Sequence, residues 1–212
     1  MTIGAVIFDI GNVLIEWQPE RYFDRKFGKA AREEMFAATE PLTLHDAWDR
    51  GADFRMVVRE HANRYPDFAA MILCWHDDWL DIVGPEIPGS VRLLRALRAK
   101  GVPVFALSNF GVGNFALTEN RYVCLTEFDR RYISGQLRTA KPDARIYEMV
   151  ETDCGADWGI APEQLLFTDD RPENITAAAT RGWATHLFQG PGGLADRLVR
   201  EGLLTEKEAG QE

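Results

Sequence analysis

Apolar residues gather into short runs at Ala5-Val6-Ile7-Phe8, Val104-Phe105-Ala106-Leu107, Leu165-Leu166-Phe167 and Thr185-His186-Leu187-Phe188. Each run is partly β-branched or aromatic, is bounded by polar, Gly or Pro residues, and lacks strict alternation. That pattern predicts strands buried on both faces, as in a parallel sheet. Between the runs the apolar spacing turns helical. Val91 to Lys100 carries Val91, Leu94, Leu97 and Arg98 at that spacing and stops at Gly101, with Lys100 in the last turn. Asp143 to Val150 and Glu173 to Thr180 each follow a proline and read as further helices. Strands alternating with helices predict an α/β fold with a Rossmann-like parallel sheet.

From Glu16 to about Pro85 the pattern changes. No convincing strand appears and aromatics are dense, from Trp17, Tyr22, Phe23 and Phe27 through Phe36, Trp48 and Phe54 to Trp75 and Trp79. Helices are expected near 20–28, 30–39, 52–64 and 67–82, packed by those aromatics. The organisation predicted is a core of 1–15 and 86–205, a small inserted α-helical cap at 16–85, and a frayed polar tail at 206–212. Most of the aromatics serve as core in this reading, and one or two near the insert's edge could line a pocket.

Composition narrows the class. The 212 residues are 46% hydrophobic and 27% charged, an ordinary globular mixture. No run nears the roughly 18 apolar residues of a membrane span, and Met-Thr-Ile-Gly lacks the basic start of a secretory signal. Three separated cysteines, Cys74, Cys124 and Cys154, form neither a disulfide set nor a zinc motif, which predicts a cytoplasmic protein. A net charge of −9 argues against nucleic acid as partner. A monomer or homodimer acting on a small metabolite is expected, with no membrane partner.

Ligands of open α/β sheets bind at the carboxyl ends of the strands. Just past the first strand stands Asp9, past the second Ser108-Asn109, and past the third Asp169-Asp170; Lys141-Pro142 precedes a helix. A nucleophilic carboxylate, a hydroxyl, a lysine and an acidic pair thus converge on one rim. Taken singly, Ser108-Asn109 reads as a turn, Lys141 as a surface lysine, and one of the two aspartates as a helix cap.

Together, in this order, they are the residues on which the chain resembles the haloacid dehalogenase-like hydrolases: Phe8-Asp9-Ile10-Gly11-Asn12, Leu107-Ser108-Asn109, Lys141-Pro142, and Phe167-Thr168-Asp169-Asp170-Arg171-Pro172-Glu173-Asn174. The match spans about residues 3 to 188. The D-x-G-N-V opening and D-D-x-x-x-N ending look like the glucose-1-phosphatase type of sugar-phosphate phosphatase. The resemblance implies a phosphomonoesterase in which Asp9 attacks phosphorus to form an aspartyl-phosphate. Ser108 and Lys141 hold and neutralise the phosphoryl group. Mg²⁺ resolves the crowding of carboxylates, with Asp9, Asp170 and the Gly11 carbonyl as ligands and Asp169 and Asn174 behind them. Asn12, Asn109 and, from the cap, Asp46 are expected to contact substrate. His45, Asp46, Trp48, Asp49 and Arg50 form a polar cluster that reads equally as a solvated turn closed by Gly51.

The chain departs from the pattern it resembles at one point. Where such phosphatases carry a second aspartate, two residues past the nucleophile, this chain has Gly11. That leaves room for a substrate with a good leaving group, such as a glycosyl phosphate, or for a cap residue or Asn12 with a water as acid. It also admits two alternatives: an L-2-haloacid dehalogenase, which needs no acid, and a low-turnover phosphometabolite-binding regulator.

Overall fold

The structure, a computed structural model, describes residues 2–210. In chain order its strands are β1 (Ala5–Phe8), β2 (Ile15–Trp17), β3 (Val83–Glu86), β4 (Val104–Ser108), β5 (Arg130–Ile133), β6 (Leu165–Asp169) and β7 (Ala184–Leu187). Helices α1 (Pro19–Phe27), α2 (Lys29–Thr39), α3 (Leu44–Asp49), α4 (Phe54–Arg64), α5 (Ala69–Asp77) and α6 (Trp79–Ile82) lie between β2 and β3. The remainder are α7 (Pro88–Ala99), α8 (Val112–Arg121), α9 (Ser134–Leu137), α10 (Ala144–Trp158), α11 (Pro172–Thr180), α12 (Pro191–Arg200) and α13 (Glu206–Ala209).

β1 lies at the centre of a five-stranded, all-parallel sheet of order β5-β4-β1-β6-β7. Alternation along β1 explains why both faces are covered. Val6 and Phe8 join one apolar cluster with Leu94 and Leu97 of α7 and Leu194 and Leu198 of α12. Ala5 and Ile7 join another, with Ile146, Tyr147 and Val150 of α10. The first cluster runs on without a break into the insert, through Tyr22, Phe23, Trp75 and Trp79. Trp75 is fully buried there, its ring 5.2 Å from Phe23 and 6.1 Å from Trp17.

Several elements escape the hydropathy pattern. No strand is expected in the insert, yet β2 and β3 pair antiparallel at its two ends and form the stem on which the helices hang. β5 is an edge strand whose Arg130 and Arg131 face outward, so only Tyr132 and Ile133 look apolar. The expected 67–82 helix breaks at Asp78 into α5 and α6. Glu206–Ala209 is no frayed tail. Thr205 and Glu208 cap it reciprocally and Ala209 is buried; residues 211–212 lie outside the described residues. Cys74, Cys124 and Cys154 are all buried free thiols. Among the described residues no helix is long and apolar enough to cross a membrane.

Candidate active site

Because β1 is flanked by β4 and β6, the chain leaves three adjacent strands at one rim, the switch point of the sheet. Asp9 leaves β1 with its N–H bonded to the Thr168 carbonyl at 2.9 Å. The next residues fold back tightly, with Val13, Leu14 and Ile15 all donating to the Ile10 carbonyl. Asn12 takes the left-handed conformation at φ 54, which asparagine tolerates better than most side chains. Its Oδ1 accepts the Trp17 N–H at 2.9 Å and its Nδ2 donates to Asp170 Oδ2 at 3.1 Å. Asn12 therefore ties the insert's stem to the acidic pair.

Lys141 is the hub of the rim. Its Nζ stands 2.9 Å from Asp9 Oδ1 and 2.5 Å from Asp169 Oδ2, all three side chains being nearly fully buried. Asn109 fixes that lysine by its backbone: Nδ2 donates to the Lys141 carbonyl at 2.9 Å, and Oδ1 accepts the Lys141 N–H at 2.8 Å. Asp169 is wholly buried and saturated, accepting from Lys141, from the Arg171 N–H at 2.8 Å and from Asn174 Nδ2 at 3.0 Å. Burial raises the Asp9 carboxyl to about 6, with Lys141 opposing, Asp169 adding, and Ser108 opposing through a hydrogen bond. Burial alone would lower the Lys141 ammonium, but Asp9 and Asp169 outweigh it and hold the group above its usual value. Burial likewise raises Asp170, against the hydrogen bond from Asn12.

Asp9, Asp169 and Asp170 bring carboxylate oxygens within 4.8 Å of one another. A single ammonium does not balance three carboxylates. An all-oxygen, net anionic donor set suits a hard divalent cation, so these residues could hold one.

The rim floors a cavity of about 410 Å³. Asp9, Asn12, Ser108, Asn109, Lys141 and Asp170 form its floor, and Trp17, Leu42, His45, Trp48, Trp79 and Phe110 its apolar walls. His45 lies among rings, 4.6 Å from Trp48 and 5.3 Å from Trp17, and burial lowers it to about 4, so it is neutral near pH 7. The insert is pinned to the sheet domain: Arg50 Nη1 bonds Asp143 Oδ2 at 2.7 Å, and Trp79 Nε1 donates to Thr118 Oγ1 at 2.8 Å.

The model of the haloacid dehalogenase-like hydrolases matches residues 3–182. The chain belongs to that family. Among curated proteins it is 24% identical to the sesquiterpene phosphatase astK of Aspergillus oryzae, over 85% of this chain and 87% of that one. Among solved structures it is similar to a family enzyme of Bacteroides thetaiotaomicron, 20% identical with TM-score 0.67, covering 90% of this chain and 95% of that one. That enzyme has also been determined in complex with magnesium and inorganic phosphate. The L-2-haloacid dehalogenase of Xanthobacter autotrophicus shares the fold at TM-score 0.59 and 19% identity, over 98% of this chain and 87% of that one.

In this hydrolase the rim brings together Asp9, Gly11, Asn12, Ser108, Asn109, Lys141, Asp169, Asp170 and Asn174. Two expected substrate contacts are otherwise engaged, since both polar ends of Asn12 and of Asn109 have partners within the protein. Asp46 needs correction. It does not line the cavity; its side chain is 73% exposed and bonds Arg50 Nε at 2.8 Å. His45, Trp48 and Asp49 line the cavity, whereas Asp46 and Arg50 pair with each other at the surface, so Asp49 faces inward instead. Trp17 and Trp79 also line the cavity and are signalled only by the insert's aromatic density, while Phe110 and Asn114 line it with no signal in the sequence.

Proposed function

We propose that the chain is a metal-dependent phosphomonoesterase acting on a small phosphorylated metabolite through an aspartyl-phosphate on Asp9. The observation that carries it is the buried Asp9–Lys141–Asp169 cluster with Asp170 beside it, at the floor of the cavity. Asp9 and Asp170, with the Gly11 carbonyl, would hold Mg²⁺, which supplies charge neutralisation for the incoming phosphate. Lys141 pairs with the transferring phosphoryl oxygens, and Ser108 donates to them. Asp169 and Asn174 hold Lys141 in place, and Asn109 sets its backbone. Asn12 orients Asp170. The insert acts as a cap that keeps bulk water from the aspartyl-phosphate.

The organic half of the substrate is decided at the walls. Trp17, Leu42, Trp48, Trp79 and Phe110 favour an ester with an apolar body. The fungal relative, a sesquiterpene phosphatase, is in keeping with that preference. A sugar phosphate is the second reading, favoured by the D-x-G-N opening and by Asn114 and Arg171 in the cavity lining. A dehalogenase fits less well, because an anionic haloacid would enter beside three carboxylates balanced by one lysine.

Phosphate release from terpenyl, aryl and sugar phosphates, with Mg²⁺ and with a chelator, tests this reading. Expected is release that needs Mg²⁺ and falls by roughly 10⁴-fold or more in Asp9→Asn, as for loss of a nucleophile. Release equal in the variant, or halide release from 2-haloacids instead, would refute it.

A further inference from the structure

We propose that Asp49, on the inserted helix α3, is the general acid–base of this site, protonating the departing oxygen and then taking a proton from the attacking water. The proposal rests on the phosphatase reading above. Position 11 offers only a hydrogen as side chain, so Asp9's neighbours on the β1 loop supply no proton donor. In-line displacement puts the leaving oxygen on the side of phosphorus away from the nucleophile. With Asp9 on the sheet rim, that side is the insert. Of the carboxyl groups lining the cavity, Asp9 and Asp170 belong to the rim, and Asp49 alone comes from the insert among the described residues.

Asp49 is built unlike a structural aspartate. It is only 9% exposed, and its carboxyl has no hydrogen-bond or ion-pair partner among the described residues. Its carboxyl opens on the cavity, so with no such partner it is free to meet a bound molecule. The charged groups it faces come from every side: Asp46 and Arg50 on its own helix, Asp9 from the tip of β1, and Lys141 from the loop before α10. Burial raises its carboxyl to about 7, with Asp46 and Asp9 adding and Lys141 and Arg50 opposing. An acid in that range is protonated often enough to donate and ionised often enough to accept at neutral pH. Its neighbour His45 is neutral there and offers no competing proton.

Its position is also fixed. Arg50 clamps the end of α3 to Asp143 of the sheet domain. Trp48 is packed so closely on Gly111 that a Cβ there would meet the Trp48 carbonyl at 3.1 Å. A proton donor needs that placement, because transfer requires hydrogen-bond reach.

The steps balance. An Asp9 carboxylate oxygen forms a bond to phosphorus as the phosphorus–oxygen bond of the ester breaks. The bonding pair goes to the departing oxygen, which receives the Asp49 proton and leaves as the alcohol. Asp49, now a carboxylate, takes a proton from water as that water attacks phosphorus. The bond to Asp9 breaks, phosphate leaves, and both aspartates return to their starting states.

The test is a leaving-group comparison in the full-length protein with Mg²⁺. An alkyl phosphate needs a proton on its leaving oxygen, whereas the nitrophenolate of 4-nitrophenyl phosphate leaves without one. Asp49→Asn is expected to lower kcat/KM for the alkyl ester roughly 10²- to 10⁴-fold, the range for general acid catalysis. The first-turnover burst of nitrophenolate should persist at the wild-type rate, with phosphoenzyme accumulating because the water step has lost its base. The alkaline limb of the alkyl pH profile should vanish in Asp49→Asn and return, displaced, in Asp49→Glu. Equal losses on both esters, or loss of the burst in the Asn and Glu variants alike, would make Asp49 structural and overturn the assignment. Undiminished alkyl turnover in Asp49→Asn would overturn it too. Wild-type protein that releases no phosphate from either ester would overturn the phosphatase reading and this one together.

Discussion

The two walls of the cavity are made differently. On the sheet side every polar side chain of the rim is tied to another: Asn109 to Lys141, Lys141 to Asp9 and Asp169, Asn174 to Asp169, Asn12 to Asp170. On the insert side the wall is aromatic, and its one carboxyl, Asp49, has no such partner. The first wall is a preorganised network in which charge is placed before substrate arrives. The second presents shape and apolar surface with one uncommitted acid. On the proposed function, a site of this kind separates what all substrates would share, the phosphate, from what distinguishes them. It also places the stability cost of function on the insert.

That contrast can be broken from the rim first. Lys141→Ala leaves Asp9 and Asp169 buried without their counter-charge. Removing one partner of a buried pair costs about 3–5 kcal/mol, and losing a donor to the transferring group costs roughly 10²–10³ in kcat. Denaturant titration of the metal-free protein reads the first and phosphate release the second. A variant as stable as the parent would show the rim network to be far weaker than its geometry.

On the insert, Asp49→Asn should act in the opposite direction on stability. Its carboxyl is raised by burial to about 7 in the folded chain, against about 4 when unfolded. Between those values the folded state holds a proton that the unfolded chain has released. The wild type therefore loses stability as pH rises from about 4 through about 7, and the variant is spared that loss. At pH 8, in chelator, Asp49→Asn should be more stable by roughly 2–4 kcal/mol, with the gap closing toward pH 4. Thermal melts across that range measure it, and a gap independent of pH would contradict the cause given.

Smaller effects sharpen the contrast further. Leu42 lines the cavity but is 45% exposed, so Leu42→Ala should raise KM for an apolar ester by about 3- to 10-fold, the low end for lost pocket methylenes. Sugar phosphates should be spared; an equal loss on both would argue against an apolar binding wall. Smallest of all is Asp46→Ala. Its exposed pair with Arg50 is worth about 0.3–0.5 kcal/mol, so KM should be unaltered for every ester, and any selective rise for sugars would restore Asp46 to the site.

Much of this molecule was legible along the chain. The four apolar runs are strands of the sheet, and the residues just beyond three of them meet at one rim. Buried parallel strands announce themselves because both faces must be apolar, which leaves a continuous local run. What escaped was structure whose apolar surface is shared or partial. β5 hides behind Arg130 and Arg131, and β2 and β3 are short. The aromatics of 17–79 read alike whether they fill the insert's core, as Trp75 does, or wall the cavity, as Trp17 and Trp79 do.

By itself the sequence determined the order of four sheet strands with helices between them, the place of Asp9 at the end of the first, and the company of Ser108, Lys141, Asp169 and Asp170. In a parallel α/β sheet those positions follow from where each strand ends. Only the tertiary structure decided which side of α3 faces the cavity. The rotation of that helix is set by Trp48 against Gly111 and by Arg50 against Asp143, contacts between residues far apart in the chain. Asp46 and Asp49 stand one turn apart, only about 60° from each other around the helix axis, so their spacing along the chain does not separate them. Packing alone selected the face on which Asp49 is buried and Asp46 meets water.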